Sequence, residues 1–339
     1  MIINPFVDAI VLLIAMSVAA EFIARSAQIL EHKYGAGFVG SIILGFVTTF
    51  PELVFVCVAV LSLDYDIAMG SAIGGNILLF TVGYGFVIVL AYIFHHKSIN
   101  LDNVFLRDDL WYLLISCIMI VLFALNGVFQ AWEGVVLIGV YIIYVLHQYY
   151  ESRQYKIIQH TNPSDSENEE SCSSPQAEKS VPLQWKKSTI YLLIGGALLL
   201  LSAEPFVEAI GELSHEIGIS ALVLALVISP LASEMPEKIS AFVLTCKDIK
   251  GAEMSIANFI GSKVQNNTLL FGLMIILASS VVGVPIVDTT KDFLLLLVMT
   301  LTTIVGVKLT YDLKLNPREG LYAVILYIIA VFLVFWIHK

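Results

Sequence analysis

Thr48-Thr49-Phe50-Pro51-Glu52 and Ser233-Glu234-Met235-Pro236-Glu237 decide the reading of this chain. Each sets a hydroxyl residue four positions before a glutamate that directly follows a proline, inside a long apolar run. An ionised carboxylate at such depth costs at least about 3 kcal/mol unless it is paired or hydrated, so both glutamates need a cationic partner. A proline in mid-helix removes one backbone bond and displaces another, which predicts helix breaks with free carbonyls near Val47 and Ala232, beside the carboxylates. Residues four apart share a helix face, so Thr48 goes with Glu52 and Ser233 with Glu237, and Glu234 joins that face. Ca2+ takes roughly six to eight oxygens, the set two such half-sites would pool. Zn2+ fits poorly, because it prefers nitrogen and sulfur and no histidine or cysteine stands beside these carboxylates.

The surroundings of the two stretches set the class of protein. Of 339 residues, 58% are hydrophobic and 14% charged, against about a quarter charged in ordinary soluble domains, which excludes a soluble enzyme. Apolar runs lie near 5–30, 37–63, 66–94, 110–126, 131–150, 188–214, 219–246, 253–280, 291–310 and 319–337. Runs of about 20 residues cross the bilayer as helices, and no barrel-like alternation is present, so an all-α membrane protein with ten transmembrane helices is expected. The first run has no basic leader and ends with Glu21 and Arg25, so it reads as mature sequence. Lys and Arg number 14 of 18 in the odd-numbered loops and only Lys291 and Lys339 in the even loops and C-terminus. Both termini are therefore expected outside the cytoplasm at the cell membrane, with the central loop inside. The net charge of −10 suggests no nucleic-acid partner, and the four cysteines no disulfide framework. The surrounding partner is the lipid bilayer, the chain is read as a monomer, and no cofactor is expected beyond the transported ions.

Residues 151–187 are polar and acidic, with few large apolar groups, and read as a disordered cytoplasmic linker. That leaves 1–150 and 188–339 as two five-helix repeats, and an odd number of spans per repeat makes them inverted. Four blocks match in order: Ala20-Glu21-Phe22 with Ala203-Glu204-Pro205, Tyr34-Gly35-Ala36-Gly37 with Ile217-Gly218-Ile219-Ser220, the two proline-glutamate stretches, and Ile73-Gly74-Gly75-Asn76 with Ile260-Gly261-Ser262-Lys263. Inverted repeats of this kind characterise secondary transporters, which bind substrate near the midplane at interrupted helices. Gly70 and Gly74 form a G-x-x-x-G read as close helix packing inside the monomer.

At these residues the sequence resembles the cation/calcium exchanger superfamily. Thr48-Thr49-Phe50-Pro51-Glu52 is similar to the first alpha-repeat motif G-T-S-x-P-E, and Gly74-Gly75-Asn76 to the G-S-N that follows it. Ser233-Glu234-Met235-Pro236-Glu237 and Gly261-Ser262-Lys263-Val264-Gln265-Asn266 resemble the second repeat. The resemblance implies a ten-helix fold in which Glu52 and Glu237 bind Ca2+, while Thr48, Thr49, Ser233, Ser262 and Asn266 match positions that help bind Ca2+ or Na+. It also implies that the helices carrying Glu21 and Glu204 slide across the rest to open the site to one side at a time.

Four residues depart from the pattern. Gly75 stands for a ligand serine, Leu79 for a polar residue, Glu234 for a serine, and Lys263 for an asparagine. Lys263 is read as a tethered cation paired with Glu234, which would leave Glu52, Glu234, Glu237 and Lys263 at −2, matching one Ca2+. Lys238 points about 100° away from Glu237 and reads as off-site. The function expected is a secondary antiporter exporting Ca2+ against Na+ by alternating access around two Pro-Glu helix breaks, with H+ as the alternative coupling ion. A channel is the rival from another class. An intramembrane hydrolase is disfavoured, because no paired intramembrane aspartates and no G-x-S-x-G with a partnering histidine occur.

Overall fold

Backbone groups in hydrocarbon have no water to bond, so an apolar chain satisfies them within helices. The computed structural model describes residues 4–34, 38–101, 105–161, 181–282, 287–288 and 292–337. The helices are α1 Pro5–Tyr34, α2 Phe38–Leu61, α3 Tyr65–Leu78, α4 Tyr84–His95, α5 Phe105–Ala124, α6 Ala131–Thr161, α7 Val181–Ile217, α8 Ala221–Ser233, α9 Met235–Lys247, α10 Ile249–Gln265, α11 Phe271–Val282, α12 Phe293–Thr310 and α13 Pro317–Ile337. A π-helical turn, Leu79–Gly83, carries α3 into α4, and a second, Asn266–Leu270, carries α10 into α11. Such turns mark functional sites in helices, and these two recur at the spacing of the fourth sequence match. Among the described residues, six helical stretches are long and apolar enough to cross a membrane. The chain is thus an all-α integral membrane protein.

Two expectations need correction. Only one proline-glutamate stretch breaks its helix: α2 runs through Pro51, whereas α8 ends at Ser233 and α9 starts at Met235, with Pro236 in its first turn. Proline is tolerated there because a first-turn N–H has no intrahelical partner to lose. The expected linker is also helical at both flanks, since α6 continues to Thr161 and α7 begins at Val181. Residues such as Glu151, Arg153, Gln154 and Lys156 propagate a helix well beyond an apolar span. The remainder of that stretch, 162–180, lies outside the described residues.

Large apolar side chains cover the outside, and an otherwise hydrophobic interior holds a few charged groups. Leu201, Phe332 and Trp336 expose 76%, 68% and 71% of their surfaces, while Glu52, Glu234, Glu237 and Lys263 are buried. Lipid tails give helices no hydrophobic reason to associate, so close backbone contact at small residues takes that role. A Cβ at Gly70 or Gly74 of α3 would strike the carbonyl of Leu222 or Leu226 on α8. Gly85 meets Gly320 between α4 and α13, and Gly134 meets Gly272 between α6 and α11. Two short antiparallel ribbons join the halves: β1 Ile99–Asn100 with β4 Lys314–Leu315, and β2 Val128–Phe129 with β3 Val287–Asp288.

These contacts make a stability prediction. Gly74→Val should push α3 off the rigid backbone of α8 and cost at least about 1–3 kcal/mol, seen as lower yield and an earlier melt in detergent. Gly139→Ala, where nothing lies within 4 Å of the added methyl, should melt at or above the parent temperature. Equal melting of the two variants would contradict the close crossing.

Candidate cation site

The break between α8 and α9 positions the site. Glu234 occupies it at φ −103°, ψ 2°, a bend that keeps the backbone bonds to Pro230 and from Lys238 while re-aiming its side chain. Glu234 is 4% exposed and Glu52 on α2 is 2% exposed. Both aim an Oε1 at one spot, the position a Cβ would take on Gly75 of α3. Neither Oε1 has a hydrogen-bond partner among the described residues. The absent side chain of Gly75 is therefore what lets two carboxylates meet.

Their other oxygens are occupied. Asn266 Nδ2 donates to Glu52 Oε2 at 2.8 Å, and Lys238 Nζ donates to Glu234 Oε2 at 2.7 Å. Asn266, and Asn76 beside Gly75, each keep a buried amide oxygen without a partner among the described residues. Two facing carboxylate oxygens in a low-dielectric interior repel unless a cation or proton stands between them. The unpartnered atoms here are all oxygen, as hard cations such as Ca2+ require of their ligands.

The remaining expected ligands lie around this pair. Glu237 is held to one side, its Oε1 accepting from Asn258 Nδ2 and Ser262 Oγ, both at 2.7 Å. Thr49 donates to Gln265 Oε1 at 2.8 Å, and Gln265 Nε2 to the Tyr141 hydroxyl at 2.8 Å. Ser233 donates back to the Ser229 carbonyl at 3.1 Å. The side chain of Thr48 lies outside the described residues. The facing pair is thus Glu52 with Glu234, whereas the motif alone pairs Glu52 with Glu237. Among the described residues no three His, Cys, Asp or Glu side chains converge as a metal cluster.

The two lysines exchange the roles expected of them. Lys263 is fully buried, which excludes snorkelling, but its Nζ donates to the Asn76 carbonyl at 2.7 Å and lies 4.6 Å from the Phe80 ring centroid. Successive helical residues diverge by about 100°, so while Ser262 faces Glu237, Lys263 faces the α3–α4 junction. Glu234 forms its salt bridge with Lys238 instead. The signal for that was available, because a glutamate four residues before a lysine is the favoured order on a helix. Asn258, Gln265 and Tyr141 carried no motif.

Comparison with known proteins places the fold. Residues 5–150 and 187–336 match the family described as sodium/calcium exchanger protein. CaxA of Alkalimonas amylolytica is 23% identical over 284 residues, covering 83% of this chain and 82% of that protein. The fold is similar to a crystal structure of the H+/Ca2+ exchanger CAX, with a TM-score of 0.79 and 21% identity over 99% of this chain and 85% of that one. It is also similar to the sodium-calcium exchanger NCX_Mj, with a TM-score of 0.62 and 20% identity over 98% and 99%.

Gly75 supplies the test of the site. In Gly75→Ala the atoms nearest the methyl all belong to the Glu52 and Glu234 side chains, so the carboxylates and not a helix crossing take up the strain and the protein should still fold. It should nevertheless bind radiolabelled Ca2+ at least about tenfold more weakly, because the carboxylates are driven apart. Unaltered affinity would mean that the cation sits elsewhere.

Proposed function

The chain belongs to the sodium/calcium exchanger protein family, and from that premise we propose that it is a secondary antiporter exporting Ca2+ across the cell membrane. The observation that carries this reading is the apposition of Glu52 and Glu234 at Gly75, each with an unpartnered oxygen. A divalent cation between them satisfies both oxygens, and the amide oxygens of Asn76 and Asn266 add hard donors nearby. Glu237 and Ser262 complete the set when Glu237 turns from Asn258, with Thr48, Thr49 and Ser233 contributing from the flanking turns.

The architecture in this reading is ten spans arranged as two inverted five-helix repeats, with both termini outside the cytoplasm. The π-turns and the ribbons support it, since both recur near the same offset in the two halves. Alternating access then moves the helices that carry Glu21 and Glu204 across the site.

The coupling ion is read as H+. The two Oε1 atoms meet without a partner, and protons on the carboxylates would relieve their repulsion once Ca2+ leaves. Na+ demands further oxygens, and Gly75 and Leu79 offer no side-chain oxygen where the family motif has polar residues. Na+ coupling, which the resemblance favours, remains the second reading.

Proteoliposomes separate these readings. Radiolabelled Ca2+ uptake should follow an imposed pH gradient and ignore a Na+ gradient at fixed pH. Uptake driven by Na+ alone would establish the second reading, and Ca2+ flux coupled to neither gradient would make the protein a channel. Glu52→Gln or Glu234→Gln should each lower uptake about a hundredfold or more while the protein still inserts, as expected when one partner of a buried charge set is removed. Near-parent uptake in either variant would remove that residue from the site.

A further inference from the structure

Glu234 is shared between two neighbours. Its Oε1 faces Glu52 over Gly75, and its Oε2 is held 2.7 Å from Lys238 Nζ. The same ammonium lies 3.5 Å from the Pro230 carbonyl, whose oxygen also accepts the Glu234 backbone N–H at 3.1 Å. A carboxylate oxygen and a backbone carbonyl oxygen converging on one positive charge are the ligands a monovalent metal cation takes. Here the lysine head group occupies that place, 17% exposed, while the carboxylate is 4% exposed.

The helix break is what makes the placement possible. α8 ends at Ser233, so the carboxylate of Glu234 swings toward Gly75, and Lys238, four residues on in α9, comes up behind it. The chain thus carries a carboxylate where the motif has a serine, with an ammonium within one turn of it. With Lys263 bound to the Asn76 carbonyl, Lys238 is the cation that contacts Glu234 among the described salt bridges.

We propose that Lys238 is a tethered monovalent cation: its ammonium fills, on the rear of Glu234, a position that a dissolved Na+ would otherwise take, so the exchanger handles one mobile cation fewer per cycle. Lys238 acts through Glu234 and is a positioning residue, not a ligand of the transported ion. The inference rests on the reading of Glu52 and Glu234 as the Ca2+ site and deepens it. It also accounts for Gly75 and Leu79, since a chain with a resident cation needs fewer oxygens for a mobile one.

The test is radiolabelled Ca2+ binding to the purified full-length protein over a series of Na+ concentrations, with choline holding ionic strength constant. The parent protein should show a nearly flat dependence of Ca2+ affinity on Na+, the shallow slope that H+ coupling implies. Lys238→Met keeps the bulk and removes the charge, so without Na+ it should bind Ca2+ at least about tenfold more tightly. Na+ should then compete, steepening the log–log slope by one ion. Lys238→Arg should keep the shallow slope. In reconstituted vesicles, the charge moved per Ca2+, read from the reversal potential, should shift by one in Lys238→Met alone.

A Lys238→Met protein with the parent affinity and slope would overturn the proposal and leave the pair a structural i, i+4 salt bridge. Should that variant fold poorly, Glu234→Gln with Lys238→Met removes both charges together. The double variant should bind Ca2+ more weakly yet keep the shallow slope, and a steepened slope there would overturn the proposal, because no bare carboxylate remains to hold Na+. Failure of the parent protein to bind Ca2+ at all would instead refute the site reading on which the inference rests.

Discussion

Everything in this structure is arranged around two carboxylates that face each other in a place that disfavours even one. Glu52 comes from α2 and Glu234 from the α8–α9 break, and both reach the surface of α3 at Gly75. Coulomb repulsion rises as the surrounding dielectric falls, so their proximity must be maintained by packing and relieved by a positive charge. The Gly70 and Gly74 contacts fix α3 against α8. Asn266 and Lys238 pin the rear oxygens, so that the front oxygens have nowhere else to turn. A site held this way is electrostatically incomplete by construction, which suits a carrier that must bind and release its ion every cycle.

Much of this was legible in the residues. The duplicated proline-glutamate stretch, the apolar runs and the G-x-x-x-G at Gly70 and Gly74 all act through spacing along one helix, and spacing survives folding. What escaped depends on rotation about an axis that changes at a break. The sequence cannot say which of two similar prolines interrupts its helix, and that asymmetry turns Glu234 toward Glu52 and leaves Glu237 with Asn258 and Ser262. Lys238 and Lys263 differ from expectation for a related reason: rotation about the helix axis turns Lys263 to the Asn76 carbonyl, and the break brings Glu234 to Lys238. The hydrogen bond between Gln265 and Tyr141 joins segments 124 residues apart, and no local pattern encodes it.

Two of the departures from the family motif, Gly75 and Glu234, act on one another, and Lys238 joins them in space. Removing a side chain at Gly75 opens the volume that Glu234 uses, and adding Glu234 creates the charge that Lys238 offsets. Any one of these changes alone would leave a hole, a clash or a bare buried charge, costs of about 1–5 kcal/mol each. Taken together they keep the interior balanced while altering what it asks of a second ion.

The two ribbons divide the molecule mechanically. β1 with β4 and β2 with β3 fasten the loops that join α4, α5, α6, α11, α12 and α13, so these helices form a stitched frame. α1 and α7 have no such stitch among the described residues. They lie along each other instead, through Gly195 against Ala19 and a hydrogen bond between Ser26 and Ser188 at 2.9 Å. A frame riveted at its loops and a helix pair bonded chiefly to itself differ in stiffness. The pair can therefore shift as one body without either ribbon being undone.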